Sequence, residues 1–340
     1  MADWTSGYAA SWSVSYVNPE TLADCGDVGG VVSVSVSRNG TDSVRLLETG
    51  QMEIDADSLD AAWMRVYMTV DQDGLERVPV ATMLFERQSS RIEKGQRRIT
   101  ATGRSVLQPA ADRAMERGSF VPAGADGAAY AARLLRACTP FPVEVDGGFT
   151  LVDDLVFDLG CSCLKAVWQV LDAGGWCIRI AGDGTVRIAK TPTSPALELD
   201  RAHAGLLLPG VDDDFDIVDV PNRVIAAKDG ATAIAVNEDG ASVTGRPRRG
   251  RWVDKVETSP KLVDGESLEH YAERRLAELS TVTRTYDYER EFWPDVVPYD
   301  MVRAALSSNG IEGELRVVKQ TLECGKGITV RETAEMEVRL

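Results

Sequence analysis

The stretch Leu164–Ile188 constrains this chain most, because its apolar period changes once, at a pair of glycines. Leu164, Val167, Trp168 and Leu171 recur at helical spacing, and Gly174-Gly175 ends that pattern. Trp176, Ile178 and Ile180 then alternate with a period of two, Asp183-Gly184 supplies a tight turn, and Val186 with Ile188 brings a second strand back. The pattern predicts a helix packed on a two-stranded ribbon, and no recognisable catalytic group lies within it.

The segments around this centre read as β-structure. Trp12-Ser-Val14-Ser-Tyr16 and Val32-Ser-Val34-Ser-Val36 alternate as half-buried strands do, and Arg38-Asn39-Gly40 is a turn signal. Strands are expected over 43–54, 64–70, 78–86 and 99–103, with Asp71-Gln-Asp73-Gly74 as a connection, and such a meander is expected to close as a barrel or sandwich. Alanine-rich segments then predict helices over 107–115 and 128–138, with an extended piece at Phe141–Val145. After residue 200 the β pattern resumes over 216–225, 232–236 and 242–244. It is followed by a basic loop, by a helix over 266–279 with Asp264 or Ser267 as cap, and by strands over 282–292, 314–322 and 328–338, the last two turned at Gly325-Lys326-Gly327. The expected class is β-rich α+β. An N-terminal barrel-like antiparallel β-domain (1–104) and a second β-domain with one inserted helix (201–340) flank an α/β block with the helix and hairpin (105–200).

At 340 residues the chain is long enough for two or three compact units. Its net charge of -16 argues against tight sequence-independent binding of nucleic acid, which needs clustered Lys and Arg. No apolar run spans a bilayer, and Met1–Tyr8 has neither the basic start nor the apolar run of a secretory signal, so no membrane insertion and synthesis in a bacterial cytoplasm are expected.

Candidate chemistry is sparse. The six cysteines (25, 138, 161, 163, 177 and 324) and two histidines (203 and 270) lack the short spacings of a zinc site, and most of the cysteines read as buried small hydrophobes. Asp153-Asp154 and Asp212-Asp213-Asp214-Phe215-Asp216 could offer carboxylates for glycan hydrolysis or calcium. Neither follows the spaced pattern of a calcium loop, and a charge run of this kind ordinarily lies in a solvated loop. No Gly-x-Ser-x-Gly elbow and no phosphate-cradling glycine loop occurs. No catalytic residue, metal site or cofactor is therefore expected. Arg246, Arg248, Arg249 and Arg251 beside Trp252 stand out against the acidic background; the plain reading is a mobile polar loop, and the sharper one a contact with an acidic neighbouring subunit. Trp168 and Trp176 read as core aromatics.

Several of these signatures, taken in order, resemble the tail-hub or baseplate-hub proteins of tailed bacteriophages and related contractile injection systems. Met83-Leu-Phe85-Glu86 is similar to the family's "lFxG", with Glu86 where glycine is common. Leu164–Leu171, Ala173-Gly174-Gly175-Trp176 and Gly182-Asp183-Gly184 resemble its "LL..aGw....d..G.l" block. Asp219-Val-Pro221-Asn222-Arg223-Val224 is similar to "d..NrV.V", and Pro298-Tyr299-Asp300-Met301-Val302 to "pGDxV", with Tyr299 replacing glycine. The resemblance implies a non-enzymatic structural protein of the virion tail tip. Such a protein is typically a homotrimeric ring of paired barrel-like domains, joining the tail tube protein to a distal tip, spike or fibre protein, with DNA passing through unbound. An acidic balance suits such a conduit, since a negative wall lets a polyanion slide. The alternatives are a tail enzyme that cleaves cell-wall glycan through the acidic clusters, and a carbohydrate-binding adhesion module using Trp252 and Trp293.

Overall fold

The computed structural model describes residues 9–71, 75–93, 95–116, 119–200, 207–260, 266–306, 310–324 and 328–339. Asp73-Gly74, His203, Asp264 and the Gly325–Gly327 turn lie outside them. The fold is β-rich α+β; of the described residues 52% lie in strands and 14% in helices.

In chain order the elements are β1 (Ala9–Val17), β2 (Asp24–Asp27), β3 (Val31–Asn39), β4 (Leu47–Asp55), β5 (Ala62–Asp71), β6 (Leu75–Glu93) and β7 (Gln96–Ser105). There follow α1 (Gln108–Asp112), β8 (Phe120–Val121), α2 (Gly127–Arg136), β9 (Val143–Val145), β10 (Leu155–Val156), α3 (Cys163–Gly174), β11 (Trp176–Ile180), β12 (Val186–Lys190) and β13 (Pro195–Leu199). The remainder comprises β14 (Leu207–Asp214), β15 (Arg223–Lys228), β16 (Ala231–Val236), α4 (Arg246–Arg249), β17 (Asp254–Thr258), α5 (Leu268–Leu279), β18 (Thr281–Glu291), β19 (Met301–Leu306), β20 (Ile311–Cys324) and β21 (Ile328–Arg339). The chain divides into two compact units, Met1–Val211 with Asp287–Ala334, and Asp212–Tyr286 with Glu335–Leu340.

In the first unit the strand order is β18-β21-β20-β3-β4-β7-β6-β5-β1-β2, an open path, and no closed barrel is found among the described residues. The N-terminal meander does not close on itself because β3 gives its second edge to β20, from Lys319 opposite Asn39 to Cys324 opposite Val34. β20 is long enough to change neighbours: Ile311–Arg316 pairs with β19, and the residues from Lys319 onward pair with β3. The far end of the path is β2, four exposed residues beginning and ending in aspartate, which blunts the edge. Met52, Met64, Met83, Phe85 and Ile99 fill the core beneath the meander.

A second core in the same unit is built from α1, α2, α3 and the mixed sheet β11-β12-β9. Ser162 caps α3 by accepting from the Lys165 N–H at 3.1 Å, and Gly175 ends it in the left-handed region with φ +67°. Leu164, Val167, Trp168 and Leu171 are all buried, each worth about 1.5–3 kcal/mol of transfer free energy. The glycine pair does two jobs. Gly175 makes the left-handed cap, whereas a Cβ on Gly174 would lie 2.3 Å from the Phe149 ring, so Gly174 permits close packing.

Three expected strands are displaced. Residues 43–46 turn instead, because the Asp42 carboxylate accepts from the Val44 and Arg45 N–H groups and Arg45 and Leu47 hold positive φ. The strand expected from Asp216 begins at Arg223, after an Asp216 turn onto the Val218 N–H. Ser242–Thr244 forms no strand, since its hydroxyls bond one another and the Asn237 amide.

The second unit contains the sheet β16-β15-β17. β15 pairs antiparallel with β16 and parallel with β17. Val224, Ala226, Ala233 and Ala235 point to one face, against Tyr271 and Ala272 of α5. Ser267 caps α5 by accepting from the His270 N–H at 3.2 Å.

Candidate interface site

The basic segment of the second unit, read from its residues as a polar loop, forms a turn around the short helix α4. Asn222, fully buried, is its staple. The side-chain amide donates to the carbonyls of Thr244 and Arg251, each at 3.0 Å, and its oxygen accepts from the Val253 N–H at 2.8 Å. Both ends of the segment are thereby tied to the start of β15. Gly245 opens α4, where a Cβ would meet the Asp239 carbonyl at 1.9 Å. Gly250 closes α4 with φ +68°, its N–H donating to the Arg246 carbonyl at 2.8 Å.

The four arginines divide by role. Arg249 turns inward and donates to the carbonyls of Ile217, Val218 and Val220, which holds the turn before β15. Arg246 stands over the Trp252 ring at 4.8 Å, and Arg223 over the same ring at 4.9 Å. Arg223 also makes a two-pronged bond to Asp254 at 2.7 and 2.5 Å, which holds the Asp254 carboxyl below its usual range. Arg248 donates to the Ala241 carbonyl at 3.4 Å, and Arg248 and Arg251 are exposed. Thus Arg246, Arg248 and Arg251 present charge outward beside a half-buried tryptophan.

An apolar row adjoins this turn. Ile225 stands opposite Ile234 on one side and Val256 on the other, on the sheet face away from α5, and Ile234 and Val256 are 59% and 58% exposed. The adjacent row is Val236, Arg223 and Asp254. A basic, tryptophan-bearing turn next to exposed branched aliphatics is the composition of a contact surface. Arg223, Asn222 and the aliphatic row escape a reading by local charge. The available signal was that β15 is apolar at consecutive positions, Val224 to Ala227, so both of its faces are apolar.

The acidic clusters do not assemble a site. Asp213 is held by Arg284, whose hydrogen bond lowers its carboxyl, and Asp154 accepts from the Ala123 N–H at 2.7 Å. Among the described residues no group of three His, Cys, Asp or Glu gathers to hold a metal ion. His270 is exposed on α5. Cys161 and Cys163 are buried free thiols, and burial pushes Cys163 up to about 11. Trp168 donates to the Arg45 carbonyl at 3.1 Å, and Trp176 packs 5.3 Å from Phe149. Trp293 packs half-buried against the core beneath the meander. No helix among the described residues is long and apolar enough to cross a membrane.

No protein-family model matches the sequence, and no curated protein matches it. Solved structures do match. The tail protein of Neisseria meningitidis MC58 superposes over 97% of this chain and 97% of its own, with TM-score 0.63 and 14% identity. The chain shares the fold of this tail protein. The tail protein of prophage MuSo2 from Shewanella oneidensis shares this fold over 95% of this chain and 97% of its own, with TM-score 0.59 and 12% identity. A chain of the Francisella PdpA-VgrG complex matches 97% of this tail-fold chain but contributes only 58% of its own length, with TM-score 0.53 and 6% identity.

Proposed function

We propose that the chain is a structural tail-tip hub protein of a bacteriophage or prophage, made in the host cytoplasm and carried in the virion. In this reading three copies form a ring that joins the tail tube protein to a distal tip, spike or fibre protein and surrounds the channel through which DNA is ejected. The observation that carries the reading is the end-to-end likeness to a tail protein, 97% of either chain. The net charge of -16 is compatible with a wall that a polyanion must slide past.

In the ring, the β-rich segments 1–104 and 201–340 supply the contacts and 105–200 is the piece between them. Arg246, Arg248, Arg251 and Trp252 face an acidic neighbouring subunit, with Arg249 as the inward anchor of that surface. A cyclic trimer places this patch against a different patch of the next copy, a heterologous contact that closes into a ring. Native mass measurement and negative-stain imaging of the purified protein test the proposal. A mass near three times 36.9 kDa with an open centre supports it, and a strict monomer that cleaves peptidoglycan overturns it.

A further inference from the structure

The sheet of the second unit has two edges, and they are defended differently. β17 is Asp254-Lys-Val-Glu-Thr258, a charged edge of the kind that discourages pairing. β16 is Ala231-Thr-Ala-Ile-Ala-Val236, with no charge, no proline and no bulge in its pairing with β15.

The hydrogen-bond phase shows which backbone groups this open edge offers. The Asn237 N–H donates to the Asn222 carbonyl at 2.9 Å, so hydrogen-bonded pairs alternate back along the ladder through Ala235, Ala233 and Ala231. Thr232, Ile234 and Val236 therefore turn their N–H and C=O groups away from β15, and β16 has no other strand neighbour among the described residues.

Along this edge runs a groove of about 570 Å³ between β16 and the last turns of α5. Leu276 and Ala277 line its helix side, and Glu238, Asp239 and Glu273 supply carboxylates. Glu238 has Arg246 at 4.0 Å, both side chains more than half exposed, and Glu273 is exposed on the helix. Edge strand, helix and groove together meet the requirements for strand addition, in which main-chain bonds give affinity and alternate side chains give selectivity.

We infer that this groove takes an extended segment of a partner protein, which adds as a strand to β16. Apolar residues of the segment lie against Leu276, Ala277, Ile234 and Val236, and lysine or arginine at its ends meets Glu238, Asp239 and Glu273. The inference concerns the edge and groove of one unit and is independent of ring formation.

The probe is a fluorescein-labelled peptide, Lys-Lys-Val-Thr-Val-Thr-Val-Lys-Lys, titrated with the full chain and followed by anisotropy. Saturable binding is expected, weakened by about tenfold or more when the lysines are replaced by glutamate and when the central valine is replaced by proline. Residue-resolved hydrogen exchange should show the Thr232, Ile234 and Val236 amides open in the free chain and protected with peptide. Ile234→Pro removes an outward donor without touching the β15 ladder and should abolish binding. Glu238→Lys with Glu273→Lys, both at exposed positions, should reverse the preference toward the glutamate peptide. Absence of saturable binding, binding that survives Ile234→Pro, or charge reversal without effect overturns the inference. Protection of the three amides in the free chain that is lost on dilution makes the occupant a second copy and overturns it as well.

Discussion

Arg290 Nη2 lies 2.6 Å from a Glu332 carboxylate oxygen, with the two side chains 1% and 0% exposed. The pair belongs to a buried chain of polar groups in the first unit. The Tyr288 hydroxyl donates to Glu332, Gln320 Nε2 donates to it at 2.7 Å, and Gln320 accepts from Arg38, which pairs with Glu48 at 2.8 Å. Burial pushes the Tyr288 hydroxyl well above its ordinary pKa, which keeps it a donor. The chain thus connects β3 and β4 to β18, β20 and β21, the same strands that join the two ends of the sequence in one sheet.

Glu332→Ala should accordingly destabilise by about 3–5 kcal/mol, because it strands the Arg290 charge without solvent. Urea unfolding of the first unit measures this. Arg290→Met with Glu332→Leu should cost much less than the single change, and equal losses for both would show that the ion pair is not what the site depends on.

Gly182 offers a test at the hairpin tip. A Cβ there would lie 1.9 Å from the Pro79 carbonyl, while the Gly182 carbonyl accepts from Thr82 at 2.8 Å and the Asp183 carbonyl from Arg65 at 2.9 Å. The tip is docked on β6, so Gly182→Ala should cost about 1–3 kcal/mol by overpacking against backbone. Gly240→Ala, where a Cβ meets nothing within 4 Å, should be near neutral. Thermal unfolding of the two variants separates these outcomes.

Gly182 also shows what was legible in the sequence. The turn at Asp183-Gly184 could be read locally, because Gly184 adopts φ +91°. The need for Gly182 could not, since its neighbour Pro79 lies over one hundred residues away in sequence. The same limit applies to the meander: alternation reveals β1, β3 and β5, yet nothing local in Val34–Asn39 says that the partner edge is β20 and that closure is forgone. At the interface site the arginines were visible as composition. That Arg249 faces inward, while Arg246 and Arg223 stand over Trp252, depends on Asn222 drawing two distant loops together. The alternating Ser242-Val-Thr244 pattern misleads for a related reason, since hydroxyls beside Asn237 find side-chain partners sooner than a strand.

Acid should weaken the second unit through Glu257. Hydrogen bonds from the Tyr271 hydroxyl and from Arg275, the latter at 2.9 Å, lower its carboxyl below the ordinary 4.5. A carboxylate with a depressed folded pKa stabilises the fold above its unfolded pKa, and that contribution fades as pH falls through the folded value. Protection factors over α5 and β15, which correct for the intrinsic exchange rate, should therefore fall below about pH 4.5. Tyr271→Phe should flatten this dependence, and an unchanged profile would assign the acid sensitivity to other groups.

The arginines of the basic turn can be told apart by what each loss disturbs. Arg249→Ala removes one cation from three backbone carbonyls, of which that of Ile217 keeps the Val220 N–H as a donor at 3.3 Å. It should cost about 2–4 kcal/mol locally and speed hydrogen exchange over 215–222. Arg248→Glu with Arg251→Glu changes groups that face solvent, so local exchange should stay near that of the parent while subunit association weakens about tenfold or more by light scattering. If neither change weakens association, the turn is no subunit contact. If only Arg249→Ala weakens association, the contact follows the shape of the turn, and its outward charge is incidental.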